Sequence, residues 1–127
     1  MLFRSACNFA PPWERTHHIT ELRPDVCSLD VATFNFGGDA FVNTPAIVQA
    51  MARAIASAGV LPEIEVFEVG HLRLAAHLLE TGVLAAPGHF QFCLGLDWAM
   101  PATSPKPQNP RVSCVNIQSW FDWWKRS

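Results

Sequence analysis

The sequence has no excess of positive charge: its formal net charge is −2 over 127 residues. That leaves no basic field for nucleic acid or an anionic membrane surface. It also lacks any run approaching the eighteen or so apolar residues of a membrane span. The opening "MLFRSACNFAPPW" carries one Arg and a broken apolar stretch, which fails as a secretory signal. The four cysteines, Cys7, Cys27, Cys93 and Cys114, contain no C-x-x-C pair, so a zinc ribbon or redox motif is excluded. Reduced, buried thiols and a cytoplasmic setting are expected. Neither a G-x-G-x-x-G nor a Walker pattern follows Gly37-Gly38. An anion-binding α/β domain built on that glycine pair therefore has little support.

What is present is a globular composition, half hydrophobic and 16% charged, at the length of about one domain. "DVCSLDVATFNF" (25–36) is β-branched and aromatic at its ends and predicts a strand, followed by a loop at "GGDAFVN". In "NTPAIVQAMARAIASAG", Thr44 is an N-cap, Pro45 opens a helix, and Gly59 ends it. Ile47, Met51 and Ile55 form its core stripe. A strand at 61–68 follows. "HLRLAAHLLETG" predicts a second helix with Leu72, Ala75, Leu79 and Val83 on one side and Gly82 as terminator. "HFQFCLG" (89–95) is a third strand. The alternation gives an α/β fold, a parallel βαβαβ segment with right-handed crossovers. Residues 1–12 show no clear period, and 104–127 form a divergent tail rich in Pro and Trp. In that tail Ile117, Phe121 and Trp124 have rough helical spacing.

The strand "LPEIEVFEVG" raises a physical question. Side chains alternate along a strand, so Glu63, Glu65 and Phe67 share one face and Ile64, Val66 and Glu68 the other. A parallel sheet normally reads as continuously apolar. Carboxylates at i and i+2 lie roughly 7 Å apart and repel by about 2.4 kcal/mol at an effective dielectric near 20. A proton or a cation between them is the expected remedy. The central face of a βα barrel offers such carboxylates a role, because its strand ends meet substrate. An exposed Glu63 and a Glu65 paired with an Arg in the wall would be the purely structural alternative.

Three segments, "RPDVCSLDVATFNFGGDAFVNTP", "GVLPEIEVFEVGHL" and "HFQFCLGLDWAMPAT", resemble the β-keto acid cleavage enzymes in order and spacing. This family includes the 3-keto-5-aminohexanoate cleavage enzyme of lysine fermentation. The likeness covers residues 13–103, its central part only, and implies an incomplete TIM (β/α)8 barrel. It implies condensation of a β-keto acid with acetyl-CoA and release of acetoacetate plus an acyl-CoA, with zinc as Lewis acid. Matching by motif assigns substrate contacts to Ser28 and Glu65. It places Asp30, where the family often carries Asn, and Asn35 beside the same pocket, with Glu63 as an additional candidate. Asn35 would need a bulge or the strand end to join that face.

The family's zinc ligands, a His-x-His strand and a later glutamate, are not among these residues. His17 and His18 are contiguous on a helix and cannot both face one metal. His71, His77 and His89 are expected on helix surfaces or strand ends. No catalytic residue or metal ligand is therefore assigned, and the chain alone is expected to lack turnover. The partners implied are the β-keto acid, acetyl-CoA and further copies of the chain, without nucleic acid or membrane. The alternative is a non-catalytic α/β fragment acting through association with itself or another barrel piece.

Overall fold

The computed structural model describes residues 2–4 and 10–101; the tail expected at 104–127 lies outside the described residues. Its nine elements are β1 (Leu2–Arg4), α1 (Pro12–Leu22), β2 (Val26–Asp30), β3 (Phe34–Phe36), β4 (Asp39–Phe41), α2 (Pro45–Ala58), β5 (Leu61–Val66), α3 (Val69–Glu80) and β6 (His89–Phe92). Four of the strands form one parallel sheet in the order β1-β2-β5-β6. Leu2–Arg4, within the stretch read as lacking a period, thus adds a strand beside β2.

Each helix links two neighbouring parallel strands. Right-handed crossovers in a sequential strand order bring all the helices to one face. The core bears this out. Ile19 of α1, Met51 and Ile55 of α2 and Leu78 of α3 join Cys27, Leu29, Ile64, Val66, Phe90 and Phe92 of the strands in a single buried cluster. Helices on one side of a sequentially ordered parallel sheet are the arrangement of a TIM-barrel segment. A doubly wound sheet would carry them on both sides.

Local chemistry explains the helix ends. The Thr44 side chain accepts the Ile47 N–H at the start of α2, and Pro45 occupies the first turn, where no N–H is needed. Both α2 and α3 end in a Schellman pattern. Val60 N–H donates to Ile55 O and Gly59 N–H to Ala56 O; Val83 N–H donates to Leu78 O and Gly82 N–H to Leu79 O. Gly59 (φ +72°) and Gly82 (φ +71°) adopt the left-handed backbone this closure requires.

Two expectations are corrected. The strand expected over 25–36 stops at Asp30, and residues 34–41 form an antiparallel hairpin instead of a strand and a loop. The cause is Asn43, which is buried. Its Nδ2 donates to Asp30 O (3.1 Å) and Ala32 O (3.5 Å), and its backbone N–H donates to Thr33 Oγ1 (2.9 Å). These bonds hold the chain in a turn-back just past β2. On α3, Ala75 is in the core with Leu72, Leu79 and, just past the helix, Val83 packed half-buried against it, as expected, and His71, Ala76 and Leu78 are buried as well.

Candidate functional site: the polar face of the sheet

Strand alternation sends the remaining side chains to the face away from the helices, and register aligns them in rows. Ser28 of β2 lies beside Glu63 of β5, which lies beside His89 of β6. One step toward the C-terminal strand ends, Asp30, Glu65 and Gln91 form a second row. Ser28 (1% exposed), Asp30 (7%) and Glu65 (5%) are buried. Polar groups are buried at a cost unless hydrogen bonding compensates. Three neighbouring strands place theirs on the same face.

Gln91 answers the question raised by the two glutamates. With its amide turned to donate, Nε2 reaches Glu63 Oε2 at 2.8 Å and Glu65 Oε1 at 3.2 Å. One neutral amide thus bridges both carboxylates, where the sequence led us to expect a proton or cation. His89 Nδ1 stands 3.8 Å from Glu63 Oε1, an ion-pair distance when the imidazole is charged. The sequence reading gave Gln91 no role of its own. A strand written H-F-Q-F puts His and Gln on one face and both Phe on the other, and that parity was the available signal.

Beyond the strand ends, the hairpin turns an aromatic cluster toward this face's rim. Phe34 stacks on Phe67 (centroids 3.9 Å apart, 10° between planes) and on Phe41 (5.3 Å, 25°), with Cys93 packed among them. The Arg15 guanidinium lies 5.3 Å from the Phe41 ring centre, a cation–π contact. His71 is buried here, not on the helix surface as expected. Its Nδ1 accepts the Phe67 N–H at 3.2 Å. Burial lowers its pKa, against smaller upward pulls from Glu68 and a hydrogen bond with the Thr33 backbone.

The candidate residues therefore divide. Ser28, Asp30, Glu63 and Glu65 come together, joined by Gln91 and His89. Asn35 does not; it is exposed on the hairpin opposite Ala40. His17 and His18 lie on α1, with His17 Nε2 3.3 Å from Glu21 on the exposed surface. A groove of about 480 Å³ between α1 and α2 is lined by Pro12, Trp13, Thr16, Thr20, Ala50 and Ala54. It shares no residue with the polar rows.

Among the described residues no three His, Cys, Asp or Glu side chains are grouped to hold a metal ion. The donors on the polar face do not fit a zinc site by themselves. Gln91 already bridges Glu63 and Glu65. No helix among the described residues is long and apolar enough to cross a membrane.

A one-sided βα sheet in sequential strand order, with a polar inner wall, is a segment of a TIM barrel. Residues 4–110 match the profile of the beta-keto acid cleavage enzymes, BKACE. The chain belongs to this family. It is 42% identical over 90 residues to a 3-dehydrocarnitine:acetyl-CoA trimethylamine transferase of Rhizobium meliloti (strain 1021), covering 69% of this chain and 30% of that protein. It is 40% identical over 84 residues to a 3-keto-5-aminohexanoate cleavage enzyme of Fusobacterium nucleatum subsp. nucleatum, covering 65% and 31%. A 3-oxoadipate:acetyl-CoA acetyltransferase of Cupriavidus necator is 32% identical over 80 residues, covering 63% and 28%. The chain thus spans about 30% of the length of these relatives. The apo structure of ObcA superposes with a TM-score of 0.63 at 20% identity, covering 91% of this chain and 25% of that one, a likeness of fold alone.

Proposed function

We propose that residues 13–103 supply part of the pocket wall of a β-keto acid cleavage enzyme. The reaction would condense a β-keto acid with acetyl-CoA and release acetoacetate plus a new acyl-CoA. The observation that carries this reading is the pair of in-register polar rows, Ser28–Glu63–His89 and Asp30–Glu65–Gln91, on the inner face of a barrel segment. In this role the Ser28 hydroxyl donates to a substrate oxygen. Glu65, steadied by Gln91, accepts from a donor on the substrate. Asp30 extends the same acceptor row toward the strand ends. Asn35, exposed on the hairpin, would meet substrate only at the rim.

In the family reading, a zinc ion would supply Lewis-acid chemistry. Its ligands would come from outside the described residues, and residues 1–127 by themselves would not turn over substrate. Acetyl-CoA as co-substrate supports a cytoplasmic setting and a place in amino-acid catabolism, in an assembly of several copies. The segment 104–127 follows the barrel piece in this scheme, and Leu2–Arg4 belongs to its sheet as β1.

The test is a chimera. The segment of the Rhizobium meliloti relative aligned with this chain is replaced by the corresponding 90 residues from here. Acetoacetate release from a β-keto acid and acetyl-CoA is then measured with zinc. Activity should persist in the chimera and fall roughly hundredfold or more with Glu65→Gln, as for loss of a polar group that holds the reacting substrate. The chain alone should give none. A folded chimera indifferent to Glu65→Gln and Ser28→Ala would sink the reading.

A further inference from the structure

The chain after β6 doubles back through a turn that its own sequence disfavours. Gly95 N–H donates to Met100 O (2.9 Å) and Ala99 N–H to Leu96 O (3.2 Å), so residues 96–99 form a tight turn inside a closed loop. The third residue of that turn is Trp98, with φ +67°. A turn that is left-handed at its third position normally takes Gly or Asn there, because a Cβ crowds the following carbonyl. Burial does not compensate: Trp98 is 74% exposed. The loop itself is fixed. Met100 N–H donates to Phe67 O (3.0 Å) and Cys93 N–H to Val66 O (2.9 Å), while Leu96 and Ala99 pack against Phe34, Phe67 and Cys93. A second exposed ring shares this anchor, since Phe36, 58% exposed, stands edge-on to Phe34 (6.2 Å, 87°). Trp98 is thus strained in the turn, adds little to the core and is held out rigidly past the C-terminal ends of β5 and β6. The row Asp30–Glu65–Gln91 lies on the same end of the sheet, where the active sites of βα barrels lie. Strained residues that the surroundings hold in place cluster at ligand sites.

We propose that Trp98 is the stacking platform for the adenine of the acyl-CoA co-substrate. The choice of ligand rests on the proposed function; the display of the ring does not. An indole offers a broad flat face that takes a purine in offset-stacked geometry. Acetyl-CoA carries its one aromatic group, the adenine, at the end remote from the thioester. A ring on the rim is therefore placed for the base while the thioester reaches inward to the polar rows. Asp97, exposed beside Trp98, is an acceptor that suits the exocyclic amine of adenine and repels phosphate. The base, not the diphosphate, is what this turn can hold.

The test is NMR of the indole N–H signals of the full chain, with no keto acid present and hence no turnover. Coenzyme A and adenosine should each shift the Trp98 signal, and pantetheine, which lacks the base, should not. Trp98→Phe should bind coenzyme A within about threefold of the unaltered chain. Trp98→Gly should bind it about tenfold more weakly, yet unfold at the same or a higher urea concentration, because glycine relieves the turn. A tryptophan kept for the fold would give the reverse. A Trp98→Gly chain that unfolds more easily, a Trp98 signal blind to coenzyme A, or one that pantetheine moves equally would overturn the proposal. So would a signal that moves only with protein concentration, which marks a contact between copies. An inactive chimera beside a Trp98 that answers to coenzyme A strikes the proposed reaction and leaves this site. An active chimera with a silent Trp98 strikes this site alone.

Discussion

The two faces of one sheet are made by the same strands and differ in nearly every physical respect. Toward the helices stand Cys27, Leu29, Ile64, Val66, Phe90 and Phe92, all buried in apolar contact. One residue along each strand, the other face holds Ser28, Asp30, Glu63, Glu65, His89 and Gln91, several equally buried but polar. The first face is stabilised by removal of apolar area from water, a non-directional effect. The second depends on particular donors meeting particular acceptors. A sheet that served stability alone would have no reason to hold two glutamates two residues apart. The difference marks where the chain makes its fold and where it places its chemistry.

The largest break in this comparison should come from the apolar face. Ile64→Ala empties a site that is 1% exposed and should cost about 2–5 kcal/mol in urea unfolding, from lost transfer energy plus a cavity. A cost under half a kcal/mol would mean that the helix layer does not depend on this strand.

On the polar face the counterpart is Gln91→Leu. It removes the amide that bridges Glu63 and Glu65 and should cost about 1–3 kcal/mol by taking a donor from buried acceptors. Adding Glu63→Gln should recover part of that loss, because it relieves the carboxylate repulsion. Strict additivity of the two changes would refute the bridge.

The smallest effect tests a titratable group on the apolar side. Burial pushes the Cys27 thiol from 9.0 up to about 11. A raised folded pKa means that its contribution to stability is complete below about pH 9 and lost as pH rises through about 11. At pH 9 the folded chain should therefore be alkylated at Cys27 roughly fiftyfold more slowly than the urea-unfolded chain, since the thiolate is the reacting form. Equal rates would place Cys27 at the surface.

Much of this was legible beforehand because its causes are local. Thr44, Pro45 and Gly59 mark the ends of α2, and the alternation in "PEIEV" separates Ile64 and Val66 from Glu63 and Glu65, whatever the rest of the chain does. The end of β2 was not legible. "DVATFNF" is as strand-like as the residues before it, and only Asn43, thirteen residues beyond Asp30, turns the chain back. The family resemblance set Asn35 beside the pocket, and it stands exposed on the hairpin. His71 was expected on the surface from its place on α3, while it packs against Phe67 after β5 and Phe34 of the hairpin.

The sequence by itself determined the β2-α2-β5-α3-β6 order, the polar and apolar faces and the family, because periodicity, caps and motifs act over a few residues. Only the tertiary structure decided that Gln91 bridges the two carboxylates, that Asn43 ends β2 and that His71 is buried between two segments. The first two are hydrogen bonds between groups distant in sequence, and the third is a ring packed against Phe34 of the hairpin; whether such groups meet depends on how the strands register and the loops fold back.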